Sequence, residues 1–221
     1  MAANDFTEFA VFKLDKAWHS VNGREADAAK LDFTKLVRTF EPKVRTLAYN
    51  LTGLKVGADL LLLIKADSAE SIQDMAAKLM STEFGVHLDM VYSFLGLSRK
   101  PVYAKDNEAQ LEQKEHGKYL VFYPFTKTID WYLLSKEERS GMMNEHINLG
   151  KKFKSVSQEL IYSFGLDDQE FVVAYETNNL AEFQDAVMAL REVRVRRYTA
   201  RETPVFVCVY RPLEQAIRYL G

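Results

Sequence analysis

The hydrophobic and polar positions along the chain follow the same order of patterns twice. Each half begins with an apolar run that ends near a tryptophan, at residues 6–18 and again at 119–131. A stretch with helical periodicity follows each run, at residues 24–40 and 135–153. Ser135, with Glu138 three residues later, is a capping box that predicts the start of the second of these helices.

Each half then repeats the rest of the pattern in the same order. Two apolar, β-rich runs are joined by a turn that contains glycine, and a second helix and a final strand follow them. The helices are predicted at 68–80 and 179–190, and the final strands at 90–95 and 204–210. The order β-α-β-β-α-β is that of the ferredoxin-like unit.

The sequence therefore predicts an α+β fold of two fused ferredoxin-like halves. Each half has an antiparallel sheet covered by helices, and two such sheets can pair or close into a dimeric α+β barrel. The polar residues 99–118 are predicted to connect the halves, which span 1–98 and 119–221. The second half is expected to contain the functional site.

Composition and charge narrow the possible functions. The 221 residues have a formal net charge of -2, so the basic excess needed for nucleic-acid binding is missing. No run approaches the roughly 18 apolar residues of a membrane span. The start of the chain resembles no signal peptide, and the single Cys208 forms no internal disulfide. These features predict a cytoplasmic location.

His146 differs from the other three histidines, because its neighbours three and four positions away are mostly apolar. Met142, Met143 and Leu149 place it on the apolar face of the predicted helix, with Gly150 one turn away. One interpretation is a core histidine that bonds a backbone carbonyl. The other is a metal or heme ligand, with Gly150 leaving room for a flat macrocycle.

Two strands place polar side chains among apolar ones. With a period of two, Tyr123 and Lys127 share one face of the strand that opens the second half. On the next strand Gln158 lies on the same apolar face as Leu160, where its amide needs hydrogen-bond partners. Each pattern is also typical of an amphipathic strand with a snorkelling lysine or a structural amide.

The remaining motifs indicate no other chemistry. Five arginines between 191 and 201 are typical of a solvated helix face, of which Arg194, Arg197 and Arg201 could meet carboxylates on one side. Glycine-rich phosphate loops, Ser-His-Asp spacing and Cys-His zinc patterns are missing from the sequence.

Taken together, the residues from Tyr119 to Asp168 resemble the chlorite dismutase superfamily, most closely its coproheme decarboxylase branch. The resemblance rests on YPFTKTIDWYLLSKEERSGMMNEHINLGKKF, followed by QELIYSFGLDD. Within it the aromatic pair, the E-E-R at the helix start, the M-x-E-H and the G-L-D-D turn occur in the family's order. The resemblance covers most of the chain.

The resemblance implies roles for individual residues. His146 corresponds to the proximal heme ligand, for which Glu192 is a candidate hydrogen-bond acceptor. Lys127 and the pair Trp131-Tyr132 correspond to heme contacts. Gln158 occupies the position of the distal arginine of chlorite dismutases, where firmicute coproheme decarboxylases have glutamine.

The decarboxylase branch implies further positions. Tyr123 corresponds to its catalytic tyrosine in Y-P-x-x-K. Tyr103 corresponds to a propionate-binding tyrosine, and Thr203 keeps the hydroxyl of a serine contact. An arginine that contacts a propionate corresponds here to Gln110.

Three hypotheses about function follow. The first is decarboxylation of iron coproporphyrin III (coproheme) to heme b with hydrogen peroxide, through Tyr123, Lys127 and Gln158. The second is a heme-binding or heme-transfer protein, or a weak heme peroxidase, that needs only His146. The third is an oligomerising structural protein without a cofactor. The resemblance also implies a homo-oligomer, with a pentamer favoured, while the neutral Gln158 disfavours chlorite dismutation.

Overall fold

The computed structural model describes residues 5–99 and 116–221. In chain order its strands are β1 (Asp5–Leu14), β2 (Val44–Asn50), β3 (Leu60–Ala66), β4 (Leu88–Ser98), β5 (Tyr119–Lys127), β6 (Val156–Tyr162), β7 (Phe171–Thr177), β8 (Thr199–Arg201) and β9 (Phe206–Arg211). Its α-helices are α1 (Gly23–Thr39), α2 (Ala69–Met80), α3 (Ile129–Leu133), α4 (Lys136–Gly150), α5 (Leu180–Leu190) and α6 (Leu213–Arg218). Short 3-10 helices lie at Lys16–Ser20, Gly85–His87 and Arg194–Tyr198.

The chain forms two compact units. One unit comprises the residues up to Ser98 together with Phe206–Gly221, and the other comprises Arg99–Val205. We call them the N-unit and the C-unit. The connector predicted at 99–118 lies almost entirely outside the described residues.

The N-unit contains an antiparallel sheet in the order β4-β1-β3-β2-β9. Its core forms between this sheet and the apolar faces of α1, α2 and α6. The buried side chains of that core include Phe33, Met75, Phe84 and Ile217. The predicted strands and helices of the first half are therefore present in the predicted order.

The last strand of the chain pairs in a way that the internal repeat does not predict. Residues 48–50 of β2 pair with residues 209–211 of β9, and α6 packs against α1. The strand predicted at 204–210 is thus part of the N-unit sheet. A sequence repeat predicts which segments are strands, but the choice of neighbour depends on distant backbone groups that need a partner.

The C-unit contains an antiparallel sheet in the order β6-β7-β5-β8. Helix α4 begins at the predicted capping box: the Ser135 Oγ accepts a bond from the Glu138 amide, and the Glu138 carboxylate accepts one from the Ser135 amide. Helix α4 contacts α5 and the 3-10 helix at Arg194–Tyr198. These elements place the predicted site residues of the second half in one unit.

Among the described residues, no helix combines the length and the apolar character that crossing a membrane requires.

Candidate functional site

One face of the C-unit sheet is lined with large side chains at alternate positions. The register pairs Gln158 with Tyr175, Leu160 with Val173 and Tyr162 with Phe171 across β6 and β7. It then pairs Val173 with Tyr123 and Phe171 with Phe125 across β7 and β5. Because alternate residues of a strand face the same side, these residues form one surface.

This surface is one wall of a cavity of about 280 Å³, close to the lower end of the range of about 300–1,000 Å³ for small-molecule sites. Helix α4 contributes Met143 and His146 to the lining, and α5 contributes Val187 and Leu190. Trp131 of α3 adds an aromatic ring to the lining. The surface of the lining is mainly aromatic and aliphatic, with polar and charged side chains at several positions.

His146 is half-buried on α4, and its side chain lines the cavity. Burial lowers the pKa of its imidazole, and the nearby Lys127 charge lowers that pKa further. The Nδ1 atom is buried and has no hydrogen-bond partner among the described residues. A neutral imidazole has a lone pair with which it can bind a metal.

Lys127 lies at the end of β5, where its ammonium is held against aromatic rings. Its Nζ is 4.4 Å from the centroid of the Trp131 ring and 5.2 Å from that of Phe125. Burial lowers the pKa of Lys127 to about 8, with a further decrease from Arg196, while Glu170 acts in the opposite direction. Lys127 is therefore mostly protonated at pH 7 and half-protonated at about pH 8.

Tyr123 is paired with a second tyrosine on the same wall. The Tyr123 hydroxyl lies 3.5 Å from that of Tyr175, and the two rings are tilted with centroids 6.1 Å apart. Burial raises the pKa of Tyr123. Burial also raises the pKa of Tyr175 well above its usual value. Both phenols are therefore neutral across the physiological pH range.

A carboxylate with two arginines forms the most polar part of the lining. Glu202 accepts a bidentate pair of bonds from Arg196, with distances of 3.0 and 2.8 Å. Arg191 approaches the same carboxylate at 2.5 Å. All three residues line the cavity. Together they form an Arg-Glu-Arg cluster.

Of the remaining predicted residues, some line the cavity, one lies outside its lining and two lie outside the described residues. Gln158 and Trp131 line the cavity. Thr203 is exposed and lies outside the lining, and its carbonyl accepts a bond from Arg201. Tyr103 and Gln110 lie outside the described residues.

Two smaller expectations around His146 differ from the structure. Glu192 does not bond the buried His146 Nδ1, because that atom has no partner among residues 5–99 and 116–221. Gly150 lies outside the cavity lining, and a β-carbon there would contact nothing within 4 Å. The described residues therefore leave space for a larger side chain at this position.

Sequence reasoning did not identify Tyr175, Arg196 and Glu202 as site residues. The alternation of β7 could have indicated Tyr175, since it shares a face with Val173 and Phe171. No local pattern links Glu202 to Arg191, because their contact depends on how the chain passes from α5 through the 3-10 helix to β8.

The fold and the site define a class of protein: an α+β chain of ferredoxin-like halves with one neutral histidine in an apolar cavity. The sequence profile of the chlorite dismutase family matches residues 26–211. The chain belongs to the chlorite dismutase family.

Individual relatives include two differently named activities. The chain is 34% identical over 160 residues to the coproheme decarboxylase of Mycolicibacterium smegmatis, covering 72% of this chain and 69% of the relative. It is 26% identical to the chlorite dismutase of Ideonella dechloratans, covering 98% of this chain and 80% of the relative. A solved variant of the chlorite dismutase from Candidatus Nitrospira defluvii is 26% identical and covers 100% of this chain and 96% of its own, with a TM-score of 0.93.

Proposed function

We propose that this protein is a coproheme decarboxylase that uses hydrogen peroxide to convert two propionates of iron coproporphyrin III into vinyl groups, giving heme b. The observation on which the proposal rests is that Tyr123, Lys127 and Gln158 line the same cavity as the neutral His146. The coproheme decarboxylase among the relatives supports this substrate.

The overall reaction balances for each propionate. The group loses its carboxylate as carbon dioxide and a hydrogen from its β-carbon, which amounts to an oxidation by two electrons. One hydrogen peroxide takes up the two electrons and two protons and becomes two molecules of water. Two propionates therefore require two equivalents of peroxide.

The residues fit a metal ion that is already coordinated by a porphyrin better than they fit a bare metal ion. Among residues 5–99 and 116–221, no cluster of three or more His, Cys, Asp or Glu side chains could hold a bare metal ion. His146 supplies one imidazole at the wall of an apolar cavity. A single histidine and an aromatic lining are the donor set expected for a porphyrin iron.

When coproheme is bound, its iron would activate hydrogen peroxide and supply the oxidising equivalent. The Tyr123 phenol would transfer its hydrogen atom to that equivalent and then take one from the β-carbon of a propionate. The second electron would leave the substrate as the carboxylate departs as carbon dioxide, and the oxidising capacity of the peroxide takes up both electrons. A phenol can do this in its neutral form, and the raised pKa of Tyr123 keeps it neutral. The Tyr175 hydroxyl lies where it can hold the phenol in place.

Lys127 would bind a propionate and donate or accept a proton. In its charged form the ammonium attracts the carboxylate, and its pKa of about 8 also lets it release a proton near physiological pH. The contact with Trp131 holds the flexible side chain at the cavity wall.

Gln158 supports decarboxylation over chlorite chemistry. A guanidinium at this position would bind an oxyanion through a charge-assisted bond, which is about twice as strong as a neutral one. The Gln158 amide adds no charge, so the cavity has less affinity for chlorite at that point. It can still donate a hydrogen bond to peroxide.

The test is to add hydrogen peroxide stepwise to the protein with iron coproporphyrin III and to follow the porphyrin by mass spectrometry. We expect loss of two carboxyl groups in the wild type. Tyr123→Phe should still bind coproheme but form no vinyl product. Tyr119→Phe is the matched control, because it lies on the same strand outside the cavity lining, and it should react like the wild type.

Two outcomes would contradict the proposal. Tight binding with the substrate unchanged or only bleached would indicate a heme-binding or heme-transfer protein or a weak peroxidase. Equal vinyl formation in Tyr123→Phe and the wild type would show that Tyr123 has no part in the reaction.

Size-exclusion chromatography with light scattering tests the homopentamer that the resemblance implies.

A further inference from the structure

The cavity contains more positive charge than its own residues neutralise. Lys127, Arg191 and Arg196 contribute three cations to the lining, and Glu202 contributes one carboxylate. Both Arg191 and Arg196 interact with that single carboxylate. The four side chains therefore leave an excess of positive charge, and burying charge without a partner is costly for the half-buried Lys127 and Arg196, whereas Arg191 is exposed to solvent.

Arg196 and Lys127 are close enough to repel each other. The Arg196 charge contributes to the low pKa of Lys127, and the neighbouring acid Glu170 offsets it only in part. One oxygen of Glu170, Oε2, accepts bonds from the Lys127 backbone amide and from the Tyr132 hydroxyl, at 2.7 and 2.6 Å. An anionic ligand between Lys127 and Arg196 would relieve this repulsion.

Glu202 accepts hydrogen bonds from only some of the N–H groups of the Arg196 guanidinium. A guanidinium has five N–H groups, and the bidentate pair to Glu202 uses one from each terminal nitrogen of Arg196. Nε and two further N–H groups of Arg196 remain. The ion pair therefore orients a rigid fork that can still bind a carboxylate.

We propose that Arg196, oriented by Glu202, determines specificity for the substrate by binding a carboxylate of the porphyrin together with Lys127. This inference rests on the proposed function and adds a second recognition group to Lys127. It predicts a preference for porphyrins with several carboxylates over the same ring without charge.

The experiment uses metal-free coproporphyrin III, so that no iron–histidine bond contributes to the affinity. Its binding to the full chain is followed by the change in porphyrin fluorescence, alongside the uncharged tetramethyl ester of the same ring. In Arg196→Gln the dissociation constant for the acid should rise about tenfold or more, because a charge-assisted contact is lost. The constant for the ester should stay within about twofold of the wild type.

Two further variants separate recognition from folding. Arg197→Gln removes the same charge from the same 3-10 helix at an exposed position outside the lining, and it should bind both porphyrins like the wild type. Arg196→Lys keeps the charge but loses the fork, and its affinity for the acid should fall between those of the wild type and Arg196→Gln. Near-UV circular dichroism checks that each variant is folded.

Failure of the inference can be told from failure of the proposed function. If Arg196→Gln and Arg196→Lys bind coproporphyrin III as well as the wild type does, Arg196 has no part in recognition. Decarboxylation of coproheme is tested separately by mass spectrometry of the porphyrin. An equal loss of affinity for the acid and the ester would likewise overturn the inference. A wild type that binds neither coproporphyrin III nor coproheme would overturn both.

Discussion

At the residue scale, the site depends on ionisable groups whose protonation is changed by burial. Lys127 has a pKa of about 8, and His146 has a pKa below its usual value, in both cases chiefly because an apolar wall disfavours the charged form. Strand periodicity predicted that Lys127 shares a face with Tyr123, and helix periodicity predicted that His146 lies on an apolar face. The direction and size of the pKa changes required the packed neighbours, including Trp131 and Arg196.

The low pKa of Lys127 gives a prediction for stability against pH. In the unfolded chain a lysine keeps its proton to about pH 10.4. Between pH 8 and that value the unfolded state binds more protons, so folding becomes more favourable as pH rises. Below pH 8 both states are charged, and the folded state bears the full cost of burial.

Lys127→Met should therefore be more stable than the wild type at pH 7, before any porphyrin is added. Its advantage should shrink above pH 8, by up to about 1.4 kcal/mol per pH unit. Urea unfolding at several pH values between 7 and 10 measures this difference. The exposed Lys152→Met is the control, and an advantage of Lys127→Met that does not change with pH would contradict the assignment.

At the element scale, the position of His146 depends on α4. The sequence predicted this helix from Ser135 to residue 153, and the structure has it at Lys136–Gly150, with Ser135 as the N-cap. The start was predicted well because the capping box is local. The predicted end lies three residues too late, because the residues after Gly150 continue as turns without a distinct stop signal.

Ser135→Ala should destabilise the start of α4. It removes the acceptor of the Glu138 amide and one bond to the Glu138 carboxylate, so the melting temperature should fall by a few degrees, on the order of 2–4 °C. Hydrogen exchange followed by mass spectrometry should become faster in residues 136–142. Ser140→Ala, inside the same helix, should not accelerate that exchange, and equal exchange in both variants would contradict the capping role.

At the scale of the whole molecule, the two compact units do not coincide with the two sequence halves. Residues 206–221 pack in the N-unit, where Ile217 and Ala216 are fully buried and β9 pairs with β2. The N-unit core is therefore complete only when the last residues of the chain are in place.

Ile217→Ala tests this arrangement. Loss of a fully buried side chain should lower the free energy of unfolding by about 2–5 kcal/mol. Hydrogen exchange should increase in α1 and β2, which lie more than 160 residues away in the sequence but in the same unit. Arg218→Ala, an exposed neighbour on α6, should leave both quantities unchanged. Faster exchange confined to α6 would show that the helix is not part of the N-unit core.

By itself, the sequence determined the α+β class, the repeat of strands and helices, the start of α4 and the shared face of Tyr123 and Lys127. These follow from local periodicity and caps, which neighbouring residues decide among themselves. Only the tertiary structure decided the partner of β9, the pairing of Tyr123 with Tyr175 and the Arg-Glu-Arg cluster. Each of these joins residues whose proximity depends on strand register and on the path of the backbone between elements. Local sequence patterns do not determine either of them.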